Sequence, residues 1–182
     1  MIHCSDDAED VTDDIIDDST NGDLVVSSIA IVNGELLDAF KCEQGDPEAS
    51  IPLAWTGVPS NAGSLAITMI HYANPDDQTK ASSYLLLWDI DPSVTNIAHG
   101  AADDGDWFMG SDKDGVAISY TSPCSPSSGS HEYEITVYAL SETPSSLPSE
   151  STLAVDYSTL TTALSTVDVI SSGTLTFNDV TE

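Results

Sequence analysis

The chain contains no arginine, and its only fixed cations are Lys41, Lys80 and Lys113 among 182 residues. Against them stand 31 acids, for a formal net charge of −28. Without arginine there is no bidentate clamp for phosphate or carboxylate. A field of this sign also repels phosphate backbones and anionic lipid faces, so nucleic acid is excluded as an expected partner. No apolar run approaches the roughly 20 residues that a membrane-spanning helix needs, and no transmembrane segment is expected. Met1-Ile2-His3 lacks the basic start and apolar run of a complete signal peptide. G-x-S-x-G, H-E-x-x-H, C-x-x-C and the P-loop are all missing, so the chain is not expected to be an enzyme. Neither a cofactor nor a dedicated metal site is expected.

What is present is ample apolar material, 40% of the residues, and a length that fits one domain with a tail. Residues 1–23 hold nine acids and no lysine or arginine. Such a segment cannot bury enough surface to offset its ordering entropy, and it reads as an acidic disordered tail or tether. Cys4, followed at once by Ser5-Asp6-Asp7, resembles the opening of a mature bacterial lipoprotein and is a lipidation candidate. Export, as a secreted, periplasmic or lipid-anchored surface protein, is the expected location; the cytoplasm is the alternative. The remainder, 24–182, still carries 22 acids against three lysines, so the acidity belongs to the domain as well. Such a charge favours solubility, cation binding or a salty medium.

From Leu24 onward β-branched and apolar residues dominate. Strands are predicted over 24–32, closed by an Asn33-Gly34 turn, and over 64–72, 84–90, 133–140 and 173–177. The run 84–90 is apolar on both faces and reads as central; 133–140 alternates and reads as half-buried. Leu160, Leu164 and Val167 fall at helical spacing over 159–167, with Asp156 or Ser158 as cap. The loops are predicted at 73–82, 99–115 and 121–130. Asp103-Asp104-Gly105-Asp106 and Asp112-Lys113-Asp114-Gly115 lack EF-hand spacing and read as solvated loops rather than calcium sites.

Four ordered segments carry a resemblance. Ser50-Ile51-Pro52-Leu53-Ala54-Trp55-Thr56-Gly57-Val58-Pro59 is similar to "SPPLSWSGVP" of the phosphatidylethanolamine-binding protein family, also called Raf kinase inhibitor-like. Ala39-Phe40-Lys41-Cys42-Glu43-Gln44-Gly45 resembles the "YTCDG" element of its bacterial branch. Trp88-Asp89-Ile90-Asp91-Pro92-Ser93-Val94-Thr95 stands where that family has "NIPADVT". Tyr120-Thr121-Ser122-Pro123-Cys124-Ser125-Pro126 with Gly129-Ser130-His131-Glu132-Tyr133 resembles "YGGPCPP…GSHRY". The resemblance spans about residues 24–177. It implies a mainly β fold, an antiparallel Greek-key-like β-sandwich with one C-terminal helix, and a small anion pocket at one end.

The pocket's residues transfer only in part. His131 and Tyr133 keep the histidine and tyrosine of "HRY". His71 stands at the first aspartate of the family's "DPDAP" loop, and Tyr84 at its strand histidine. Glu132 replaces the arginine, and Thr121, Ser122 and Ser125 replace two glycines and a proline. The expected ligand-binding set is His71, Tyr84, His131 and Tyr133. It is open between a small anion held by protonated imidazoles, a transition metal on two imidazoles and the Tyr84 hydroxyl, and a pocket that has lost its ligand. The resemblance also implies a Cys42–Cys124 disulfide. The expected function is a non-catalytic binding module for a small anionic ligand or a protein partner. The alternative is an exported structural or adhesive surface protein that keeps the fold with a vestigial pocket.

Overall fold

The computed structural model describes residues 23–42, 49–74, 76–77, 80–124 and 127–181. Cys4, Ser125 and all of the expected tail except Asp23 lie outside the described residues.

Among the described residues the fold is mainly β, two stacked sheets and one α-helix. The small sheet has the order β1-β4-β7, from β1 (Val25–Ser27), β4 (Leu53–Thr56) and β7 (Asn96–Ile97). The large sheet has seven strands in the order β2-β3-β10-β9-β5-β6-β8. They are β2 (Ile31–Val32), β3 (Glu35–Leu36), β5 (Ser64–Tyr72), β6 (Ala81–Ile90), β8 (Phe108–Met109), β9 (Gly129–Leu140) and β10 (Val169–Thr181). Among its described pairings every one is antiparallel except β10 with β3.

The run expected as a strand over 24–32 is broken in two. Ser28 turns the chain, its hydroxyl donating to the Pro52 carbonyl, and Ile31 begins the next strand. The Asn33-Gly34 turn joins β2 to β3 with φ of 54° and 80°, the left-handed pair that a tight hairpin requires. Strands β6, β9 and β10 outrun their expected bounds because their ladders continue past the apolar centre. His131 accordingly lies in β9 rather than in the preceding loop.

Alternation divides the side chains of the large sheet between two cores. Leu65, Ile67, Met69, Tyr133, Ile135 and Val137 face the small sheet, meeting Val26, Leu53, Trp55 and Ile97. Ala66, Leu86, Trp88 and Leu140 face the other way, beneath α1 (Tyr157–Leu164), which inserts Leu160, Ala163 and Leu164. Gly173 lets β10 pass close to the residue before β1: a Cβ there would lie 2.2 Å from the Leu24 carbonyl oxygen.

The Cys42–Cys124 disulfide is present, closing a separation of 82 residues with Cα atoms 5.4 Å apart. The Cys42 amide also donates to the Pro123 carbonyl, and Ser122 Oγ donates to the Phe40 carbonyl. The segment after the 3-10 turn Asp38–Phe40 is thereby fastened to the loop that feeds β9.

Candidate functional site

The four residues predicted from separate segments come together at one end of the larger core. His71, next to last in β5, is in register with Tyr133 of β9; their rings stack with centroids 4.8 Å apart. The His131 ring is 6.0 Å from that of His71, edge to face. The Tyr84 ring stands edge-on to Tyr133 at 5.0 Å and to His71 at 6.4 Å. The opposite face of Tyr133 is covered by Phe177 at 5.4 Å.

Tyr84 reaches the cluster through a bulge. Met69 pairs with Leu85, but Ile70 pairs with Ser83, so the register passes over Tyr84. Neighbouring residues of a regular strand point to opposite faces; here Tyr84 and Leu85 both enter the larger core. An extra residue of this kind re-aims a side chain. The Tyr84 carbonyl accepts from the Thr121 amide at 2.8 Å, which ties the bulge to the disulfide-bonded loop.

Burial separates the four. Tyr133 and Tyr84 are buried, whereas His71 and His131 are half-buried and reachable from solvent. Burial holds the Tyr133 hydroxyl far above its ordinary range, and the nearby Tyr84 hydroxyl and Asp179 carboxylate push it further. It is a neutral hydrogen-bonding group, not a base. Burial acts likewise on Tyr120, whose hydroxyl has no well-formed hydrogen bond and lies near Ser122 and the Ile51 backbone.

Each imidazole has one nitrogen committed to a backbone carbonyl. His71 Nδ1 is 2.7 Å from the Glu132 oxygen, and His131 Nε2 is 3.1 Å from the Ser127 oxygen. A carbonyl only accepts, so these two nitrogens carry the protons.

Sequence reasoning missed Asp179, which sits opposite His131 in the β9–β10 ladder at 2% exposure. Its Oδ1 lies 3.5 Å from the Lys41 ammonium, which also contacts Asp38 at 3.0 Å and donates to the Val180 carbonyl at 2.7 Å. Partial burial pulls the Lys41 pKa down, but the bonds and charges of Asp38 and Asp179 outweigh it and hold it above 10.5. The Lys113 ammonium, bonded to Asp114, lies within electrostatic reach of the Tyr84 hydroxyl. Two of the three lysines therefore flank the cluster. Asp179 follows Asn178 beyond the closing strand expected over 173–177, and its partner is remote in sequence, so no local signal marked it.

Elsewhere, Asp112 Oδ1 accepts from the Val116 and Ala117 amides at 2.8 and 3.1 Å, a loop-shaping role for one of the acidic runs. Among the described residues no group of three or more His, Cys, Asp or Glu is arranged to hold a metal ion. No helix among them is long and apolar enough to cross a membrane.

Comparison with known proteins gives a consistent result. The family model described as "Phosphatidylethanolamine-binding protein" matches residues 27–172. A "UPF0098 protein" of Methanothermobacter thermautotrophicus is 31% identical over 110 residues, covering 59% of this chain and 69% of that protein. A phosphatidylethanolamine-binding protein homologue from Chlamydia trachomatis superposes with a TM-score of 0.73 at 24% identity, covering 88% of this chain and 99% of that one. The E. coli protein YbcL, described as a member of the mammalian PEBP family, superposes with a TM-score of 0.72 at 20% identity, over 88% of this chain and 100% of that one. At these identities the two structures speak for the fold alone.

Proposed function

Because the chain belongs to the phosphatidylethanolamine-binding protein family, we propose that it is a non-catalytic binding module. Its ligand is a small anion or phosphate-bearing head group, taken up at His71, Tyr84, His131 and Tyr133. The observation that carries this reading is the pair of half-buried imidazoles, with rings 6.0 Å apart, at the edge of an apolar core. Imidazole N–H groups are charge-assisted donors when protonated, and Lys41 and Lys113 moderate the negative field around them. The Cys42–Cys124 bridge favours an oxidising, exported setting. The competing reading, a structural or adhesive surface protein, predicts that the cluster binds nothing.

Phosphate binding, followed by amide chemical shifts at about pH 5.5 and 7.5, either side of the usual histidine range, tests it. Protonation adds a donor and a positive charge to each ring, so affinity rises toward the lower pH. His131→Ala abolishes the gain. Absence of phosphate binding at both pH values, or a variant that behaves like wild type, sinks the anion reading in favour of the structural one.

A further inference from the structure

We propose that His71 and His131 also form a site for a divalent transition-metal ion, with His71 Nε2 and His131 Nδ1 as its protein ligands. The opposite nitrogen of each ring is already committed: Nδ1 of His71 to the Glu132 carbonyl at 2.7 Å, and Nε2 of His131 to the Ser127 carbonyl at 3.1 Å. Donation of one ring N–H to a carbonyl is how metal-ligating histidines are oriented, and it fixes the lone pair on the other nitrogen. Both rings are held in that tautomer within 6.0 Å of each other, half-buried and open to solvent.

The surroundings suit a cation. A chain with a net charge of −28 concentrates divalent ions near its surface. Asp179 adds a buried carboxylate directly opposite His131 in the ladder. Both flanking ammonium groups are engaged, Lys41 by Asp38, Asp179 and the Val180 carbonyl and Lys113 by Asp114. Among the described residues no third His, Cys, Asp or Glu completes the set. The site therefore offers two protein ligands, leaves the other positions to water and holds its ion exchangeably. Imidazole selects Zn²⁺, Cu²⁺ or Ni²⁺ over Ca²⁺ and Mg²⁺, which prefer oxygen.

The test is Zn²⁺ titration calorimetry on the disulfide-intact protein at neutral pH, with excess Ca²⁺ to occupy surface carboxylates and with phosphate left out. One Zn²⁺ should bind per chain. Loss of outer-shell partners alone typically weakens metal sites by about 10- to 100-fold, so His71→Ala and His131→Ala should each weaken binding by about tenfold or more. His99→Ala serves as control, since that ring packs edge-on to Phe40, 5.1 Å away, and is no part of the cluster. In ¹⁵N imidazole spectra of the wild type, Zn²⁺ should shift Nε2 of His71 and Nδ1 of His131. This reading decides the matter even where a variant fails to fold. No Zn²⁺ binding above the Ca²⁺-quenched background overturns the proposal, as does binding that survives either alanine, or an ion on the opposite nitrogens. Since phosphate is absent, these outcomes are independent of the anion reading.

Discussion

A carboxylate at 2% exposure is costly unless a cation faces it, and Lys41 is the cation that faces Asp179. The pair ties the closing strand to the segment just before Cys42. Removing one partner strands the other charge in the core. Lys41→Met should therefore cost about 3 kcal/mol, the lower end of the range for a broken buried pair. Replacing Asp179 by Leu in the same chain should recover most of that loss. Urea denaturation of the two variants and their combination checks this; additive losses would show that the two side chains act separately. The linkage sign is set by the raised Lys41 pKa: the stabilisation is full below 10.5 and is lost as pH rises through the folded value.

The helix was legible from its cap and its apolar face, although both its ends differ from the expected 159–167: it spans Tyr157–Leu164. Its start follows from Asp156, whose side chain accepts from the Thr159 amide at 2.7 Å. Its apolar face follows from Leu160 and Leu164, which the structure buries against Leu86 and Trp88. It ends at Leu164, short of the expected 167, because Ser165 and Thr166 return their hydroxyls to the Thr162 and Ala163 carbonyls. Asp156→Ala should destabilise the fold by about 1 kcal/mol at neutral pH, the usual worth of such a cap. The bonds from Thr159 lower the Asp156 pKa below 3.8. A depressed carboxyl stabilises above its unfolded value and loses that contribution as pH falls through the folded one. The wild type's advantage over the alanine variant should therefore shrink below about pH 4, as denaturant midpoints at neutral and acid pH would show. An advantage unchanged in acid would mean that the carboxylate is not the cap.

At the scale of the molecule, the charge of −28 works against compactness. Few of the 31 acids meet a lysine, because there are three lysines to meet. Raising NaCl from about 0.1 M to 1 M shortens the screening length from about 10 Å to 3 Å. It should raise the melting temperature, although the same screening weakens the exposed Lys113–Asp114 pair. A melting temperature that falls with salt would mean that self-repulsion does not limit stability. The disulfide acts at this scale too: closing a loop of 82 residues, it restricts the unfolded chain while fastening the loop that precedes His131 to the segment bearing Lys41.

Strand and helix periodicity, the Asn33-Gly34 turn and the charge balance are local or compositional properties, and the sequence alone determined them. The order of four short segments was enough to indicate the family, and with it the pairing of Cys42 with Cys124. Tertiary structure decided the rest of the site. Tyr84 would face away from His71 in a regular strand counted from Leu85; the bulge opposite Met69 and Ile70 turns it inward, and only the cross-strand ladder creates that bulge. Asp179 lies past the strand expected over 173–177 until the ladder with β9 continues to it, sets it beside His131 and the chain returns Lys41 to its carboxylate. The imidazole tautomers likewise depend on where the Glu132 and Ser127 carbonyls fall. Local pattern records which residues can be buried. Register and closure, which bring remote segments within bonding distance, determine what each buried or half-buried group meets.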